Sequence, residues 1–168
     1  MGRKHHKDTT IWIYATWKDK DEVEITGLTN DKHTVVITDP TGANMMADEL
    51  LTTDANIGQN ICAVADGSEF RAGWQVTIKD DSDSETNTIA SISGNELTMT
   101  TALSNTYTVL ANGHVYKDVV TVTEVDSGVY YFKYAILSNA EVGEWHVSWQ
   151  ILYGTDKGED EFRFEVEE

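Results

Sequence analysis

Apolar and polar side chains alternate with a period close to two along most of this chain. In residues 10–17, Ile11, Ile13, Ala15 and Trp17 fall on one parity and Trp12, Tyr14 and Thr16 on the other. That is the pattern of a pleated strand that buries one face. The charged run 18–22 reads as a turn and 23–25 as a short strand. Residues 33–38 form the next predicted strand, closed by Asp39, Pro40, Thr41 and Gly42, where proline sets φ and glycine admits φ > 0. Residues 44–51 stay open, because Met45, Met46, Leu50 and Leu51 fit one face of a short helix or both faces of a strand.

The middle changes character. Between residues 54 and 116 the side chains become small and polar, and short strand signals at 60–64, 75–79, 86–92, 96–100 and 108–115 alternate with turns. Closely spaced short strands suggest a small barrel or sandwich, in which closing the sheet removes unpaired edges. After residue 117 the aromatic, strongly alternating style of the first segment returns. Predicted strands run over 119–125, 129–136 and 145–152, with a last one carrying Phe162, Phe164 and Val166 at alternate positions.

Neither flank alone holds enough strands for a sandwich, but together they make about seven, the number an immunoglobulin-like sandwich uses over ~100 residues. The expected architecture is therefore all-β, an immunoglobulin-like β-sandwich with a second small β-barrel or sandwich inserted in one loop. Its parts would be a basic N-terminal arm at 1–9, the sandwich at 10–53 plus 117–168, and the inserted domain at 54–116.

Composition narrows function by exclusion. The 168 residues carry 12 Lys and Arg against 29 Asp and Glu, a formal charge of −17, which repels phosphate backbones and anionic lipid. Neither nucleic acid nor membrane is an expected partner. A single cysteine, Cys62, forms neither an intramolecular disulfide nor a CxxC metal site, and its strand-like surroundings suggest a buried, inert thiol. No apolar stretch approaches the ~20 residues of a membrane span, and the first eight residues lack the apolar region of a secretion signal.

Candidate chemistry is sparse. His5 and His6 sit in the basic start without a third ligand at useful spacing, and His33 and His146 read as solvated surface residues. The acidic run Asp81-x-Asp83-x-Glu85 has the opening of a calcium loop, but Thr86 stands at the sixth position instead of Gly and Ile92 at the twelfth instead of Glu. No Gly-x-Ser-x-Gly motif or phosphate-cradling glycine loop occurs. The expectation is no catalytic, cofactor-binding or metal-ligating residue. The aromatics are more informative. Trp145 and Trp149, in step with Val147 and Ile151 and with Tyr131 or Tyr130 across the hairpin, read as core. Trp12, Tyr14, Tyr130, Phe132 and Tyr134 would then leave rings on the opposite faces of their strands, a candidate partner surface, together with Arg3 and Lys4 of the basic arm.

Several stretches carry a family resemblance. In the flanks these are residues 34–42, with Val35, Ile37, Asp39, Pro40 and Gly42; residues 126–134, with Gly128 and Tyr130; residues 141–149, with Gly143, Trp145 and Trp149; and Phe164 with Val166. This order resembles small immunoglobulin-like proteins encoded among the virion structural genes of tailed bacterial and archaeal viruses. The middle, residues 70–78 followed by 89–99 and 103–107, resembles a β module common in virion and tail-associated proteins, with Trp74 where that module usually has Asp. The resemblance implies a non-enzymatic virion protein at the head–tail junction, on the tail or on the capsid. Its partners would be other virion proteins and copies of itself, and it transfers no catalytic residue. The alternative is a carbohydrate-binding β module on a tail tip or cell surface, with Trp12, Tyr14 and Trp74 as stacking platforms.

Overall fold

The structure, a computed structural model, describes residues 3–168. Every regular element among them is a β-strand or a single turn of 3-10 helix, so the chain is all-β. Two compact units divide it, Met1–Gly42 with Val120–Glu168, and Ala43–Val119 between them. The division lies ahead of the expected 53/54 boundary at one end and after 116/117 at the other. The physical reason is local: Ala47 and Leu51 are buried in the core of the middle unit, and Lys117 N–H donates to the Ala47 carbonyl at 2.8 Å.

Among the described residues, the unit built from both chain ends has seven strands: β1 (Arg3–His6), β2 (Thr9–Thr16), β3 (His33–Thr38), β10 (Thr123–Asp126), β11 (Val129–Ile136), β12 (Gly143–Tyr153) and β13 (Asp156–Glu167). They form one sheet in the order β1-β13-β12-β3 and another in the order β10-β11-β2. Lettered A to G in chain order, these are the C-F-G and B-E-D groupings of an immunoglobulin sandwich. Strand β1 departs from the four-stranded A-B-E-D grouping, for it pairs in parallel with β13 instead of with β2. The core lies between the sheets. The fully buried Trp149 of β12 meets the Phe132 ring of β11 edge-on at 5.0 Å and Trp17 at 5.9 Å. Trp145 stacks on Phe164 at 5.7 Å and its indole N–H donates to the Glu141 carbonyl at 2.9 Å. That bond ties the start of β12 to the corner before it, as a tyrosine does in many such sandwiches. Gly128, between β10 and β11, has φ +66°, and a Cβ there would lie 2.8 Å from Glu24 Cβ and 2.9 Å from the Trp17 carbonyl oxygen. Only glycine fits this turn.

The middle unit holds β4 (Asp48–Leu50), β5 (Ile61–Ala63), β6 (Gln75–Lys79), β7 (Ser84–Ser93), β8 (Glu96–Met99) and β9 (His114–Tyr116), in the order β4-β9-β6-β7-β8-β5. A register shift between Ile89 and Ser91 bends β7, and the sheet curls until its outer strands meet. Leu51, just past β4, bridges Val64, just past β5, and Thr52 N–H donates to the Ala63 carbonyl at 2.9 Å. Ile78, Ile89, Leu97, Met99 and Tyr107 fill the interior.

One open local reading is resolved and two expectations are corrected. The open segment 44–51 supplies the short strand β4. Residues 108–115 are not one strand: Thr108 caps a 3-10 turn, Val109–Ala111, with its side chain accepting from Ala111 N–H, and only His114–Tyr116 is extended. The strand expected at 119–125 is confined to Thr123–Asp126, because 117–122 has no sheet neighbour. The basic start is likewise no loose arm where it is described. Arg3–His6 is a paired strand, while residues 1 and 2 of that expectation lie outside the described residues.

Candidate interaction surface

Strands β2 and β11 pair antiparallel with Tyr14 opposite Tyr131 and Trp12 opposite Lys133. Directly opposed residues share a sheet face, so the burial of Ile11, Ile13 and Ala15 decides the rest. Tyr134, Phe132 and Tyr130 stand opposite those three residues and go inward with them. Trp12 and Tyr14 are each half exposed, at 50%. The expectation that Tyr130, Phe132 and Tyr134 belong to a partner surface is therefore corrected. All three are buried, and the Tyr130 hydroxyl donates to the Ile25 carbonyl at 3.0 Å. The ring that accompanies Trp12 and Tyr14 is Tyr131. The signal for this was present in Lys133, a charge two residues along on the same parity, which turns that face to solvent.

The exposed rings form a pile. Trp12 and Tyr131 lie 5.1 Å apart at 21°, Tyr14 and Tyr131 5.5 Å apart at 32°, and Trp12 and Tyr14 6.4 Å apart at 12°. The Lys133 ammonium sits 4.1 Å from the centre of the Trp12 ring. At such spacings near-parallel rings are offset stacks, not a flat pavement, since coplanar rings would collide at their edges. The rings pack on one another and Lys133 lies over Trp12, a contact of about 0.5–1 kcal/mol at an exposed site.

Arg3 and Lys4, on β1, belong to the other sheet and are not part of this pile. Lys4 pairs with Glu167 and lies 3.9 Å from Glu165, and the hydrogen bond to Glu167 holds its ammonium above the ordinary lysine range. Its charge is turned to joining β1 to β13.

Several acids of the middle unit also hold the fold. In the hairpin after β6, one carboxylate oxygen of Asp80 accepts from Ser82 and Asp83 N–H, each at 2.9 Å, and these bonds hold its pKa below the usual range. Asp81 accepts from the Asn112 amide at 3.1 Å and Glu85 accepts from the Tyr107 hydroxyl, also at 3.1 Å. Asp81 and Glu85 of the calcium-like run thus turn to separate partners. Among the described residues no group of three or more His, Cys, Asp or Glu converges to hold a metal ion. Cys62 is buried, and desolvation pushes its thiol up to about 12, far from a reactive thiolate.

His33 is not the solvated residue the sequence suggests. Its ring lies 5.0 Å from Tyr130 and 5.8 Å from Trp149. Its Nδ1 accepts the Trp149 indole N–H at 3.2 Å, which places the neutral ring's proton on Nε2, a buried atom without a hydrogen-bond partner. Burial lowers the His33 pKa. Trp74 is half-buried against the middle core with the Lys117 ammonium 5.8 Å from its ring centre. A cleft of about 530 Å³ opens between Lys18, Asp19, Lys20, Ile151, Asp156 and Lys157. It brings cations and carboxylates together in mixed array, with no nucleophile framed by a base.

No family model matches the chain, and no curated protein matches it. Among solved structures, one alignment is with a family 123 glycoside hydrolase from Clostridium perfringens, described for glycolipid glycan hydrolysis. It covers 99% of this chain and 23% of that one, at 14% identity and a TM-score of 0.34. A likeness this slight carries no argument about fold or activity. No helix among the described residues is long and apolar enough to cross a membrane.

Proposed function

We propose that the protein is a non-enzymatic structural component of a virus particle, a connector at the head–tail junction or a tail- or capsid-associated subunit, acting through protein–protein contacts. The observation that carries this reading is the exposed aromatic face of β2 and β11. On a chain of net charge −17 it presents Trp12, Tyr14 and Tyr131 with one cation and no carboxylate, the composition of a contact patch. The resemblance of the flanks and middle to virion β modules supports the same reading and supplies the setting. The glycan-binding alternative draws on the exposure of Trp12 and Tyr14. It is the weaker reading, since sugar stacking needs bare ring faces and these rings already pack against one another and Lys133, while Trp74 is partly taken up by its own core.

Mass spectrometry and immunogold labelling of purified particles produced by the encoding genome test the proposal. The expected result is a fixed copy number per particle, and loss of incorporation for Trp12→Ser with Tyr14→Ser at unchanged far-ultraviolet circular dichroism. Absence from purified particles overturns it. A glycan array with specific binding abolished by the same double variant favours the alternative.

A further inference from the structure

The edge strands of the two-sheet unit are not equally protected. β1 carries Arg3 and Lys4, and β10 is four residues long with Glu124, Asp126 and a register shift between them. In β3 only Thr34 is exposed. Charge, shortness, irregularity and burial are the usual guards against edge-to-edge pairing. β2 has none of them. Its eight residues, TTIWIYAT, contain no charge and no proline, and the strand ends its sheet. The strand that covers this edge in an A-B-E-D sheet is the first one, and here β1 has gone to β13.

The backbone parity of the open edge follows from one bond. Trp17 N–H donates to the Gly128 carbonyl at 2.8 Å, in line with the β2–β11 register. By alternation Ala15, Ile13 and Ile11 also turn their N–H and C=O toward β11. Thr10, Trp12, Tyr14 and Thr16 turn theirs to the open side, and these are the residues whose side chains are exposed. Along the edge they read Thr, Trp, Tyr, Thr, the same kind of sequence in both directions.

We infer that β2 is a self-pairing edge: two copies of this chain join antiparallel through it, about a two-fold axis at Ile13, into one continuous six-stranded sheet. This deepens the reading as a contact protein and rests on it for its biological setting. The register is determined by the chemistry. Face alternation requires exposed residues to oppose exposed residues, which permits an axis through any one residue, such as Trp12, Ile13 or Tyr14. The axis at Ile13 opposes Thr10 to Thr16 and Trp12 to Tyr14 on both sides, so that all four outward residues bond, forming about eight backbone hydrogen bonds. Threonine pairs and aromatic pairs are favourable cross-strand neighbours, and the two ring piles become one. A second copy is the occupant the edge selects because the contact matches itself. The like charge of the two bodies sets the cost, a repulsion that salt screens.

Sedimentation equilibrium of the full chain from about 1 to 300 µM tests this. An interface of one strand and three rings is at the small end of specific contacts, and a dimer with Kd on the order of 10 µM is expected in ~0.15 M salt, tightening as salt rises. Thr10→Lys with Thr16→Lys sets like charges opposite one another at both ends and is expected to weaken the dimer at least tenfold. Thr10→Lys with Thr16→Glu sets opposite charges there and restores it. Both positions lie on the exposed face, and circular dichroism checks that each variant keeps the fold. A monomer at every concentration, or a Lys/Lys variant as dimeric as the parent, overturns the inference. A monomer that still enters particles defeats self-pairing and leaves the structural role standing, whereas a dimer absent from particles does the reverse.

Discussion

Trp149 joins the two ends of the chain, and replacing it gives the sharpest measure of the nested architecture. It is fully buried on β12 and touches Phe132 of β11 and Trp17 beyond β2. Trp149→Ala removes the whole indole from between the sheets, a change that costs about 3–5 kcal/mol through lost burial and the cavity left behind. It also strips His33 Nδ1 of its donor, adding about 1 kcal/mol or more for a half-buried acceptor. The sum, about 4–6 kcal/mol, is a large share of the 5–10 kcal/mol that a unit of this size possesses. Trp149→Phe keeps one ring against Phe132 and loses the second ring and the N–H, for a loss of about 2 kcal/mol. Hydrogen exchange read by mass spectrometry separates the two units. Protection in β2, β11 and β12 is expected to fall by about a thousand- to ten-thousandfold in Trp149→Ala, since each 1.4 kcal/mol is a factor of ten. Protection in β6, β7 and β8 is expected to stay within a few fold of the parent. A loss below about 1 kcal/mol would refute the packing argument, and an equal loss in the middle strands would refute the independence of the inserted unit.

Two further outcomes follow from single groups. The His33 pKa is lowered by burial, with the Leu28 backbone and the Asp31 carboxylate opposing in part. Above the ordinary histidine range both folded and unfolded rings are neutral. As pH falls below about 6.5 the unfolded chain takes up the proton first, so stability declines until the folded ring also titrates. His5, whose pKa burial and Arg3 also lower, contributes with the same sign. The urea midpoint is expected to drop between pH 7.5 and 5, and His33→Phe to flatten that slope; an identical slope would rule His33 out. In the middle unit, a Cβ on Gly67 would lie 2.3 Å from the Gly94 carbonyl oxygen, whereas one on Gly58 meets nothing within 4 Å. Gly67→Ala is expected to cost about 2–3 kcal/mol by forcing two backbones apart. Gly58→Ala costs about 1 kcal/mol, for its positive φ alone. Thermal unfolding showing equal losses would contradict the close approach.

Strand existence was written in the local pattern because alternation is a property of neighbours along the chain. The expected strands at 33–38, 75–79 and 129–136 coincide with β3, β6 and β11, and the return of aromatic alternation after residue 117 signalled that the two ends belong together. Which face of β11 is buried was a different matter. That strand carries aromatic rings on both parities, Tyr131 on one and Tyr130, Phe132 and Tyr134 on the other, and Lys133 beside Tyr131 is the one local sign of which parity meets solvent. Pairing with β2, which sets Tyr134, Phe132 and Tyr130 opposite Ile11, Ile13 and Ala15, buried those three rings and placed Tyr131 beside Trp12 and Tyr14. His33 was decided in the same way, since nothing near it in sequence announces the Trp149 indole N–H that approaches from β12. The open edge of β2 is likewise a tertiary fact. Its uncharged sequence suits a central strand and an edge equally, and the departure of β1 to β13 made it an edge. Local alternation specifies that a segment is extended and how its two faces differ. Partner, register and neighbour count depend on contacts between residues far apart in the chain, and those exist only once the sheets have formed.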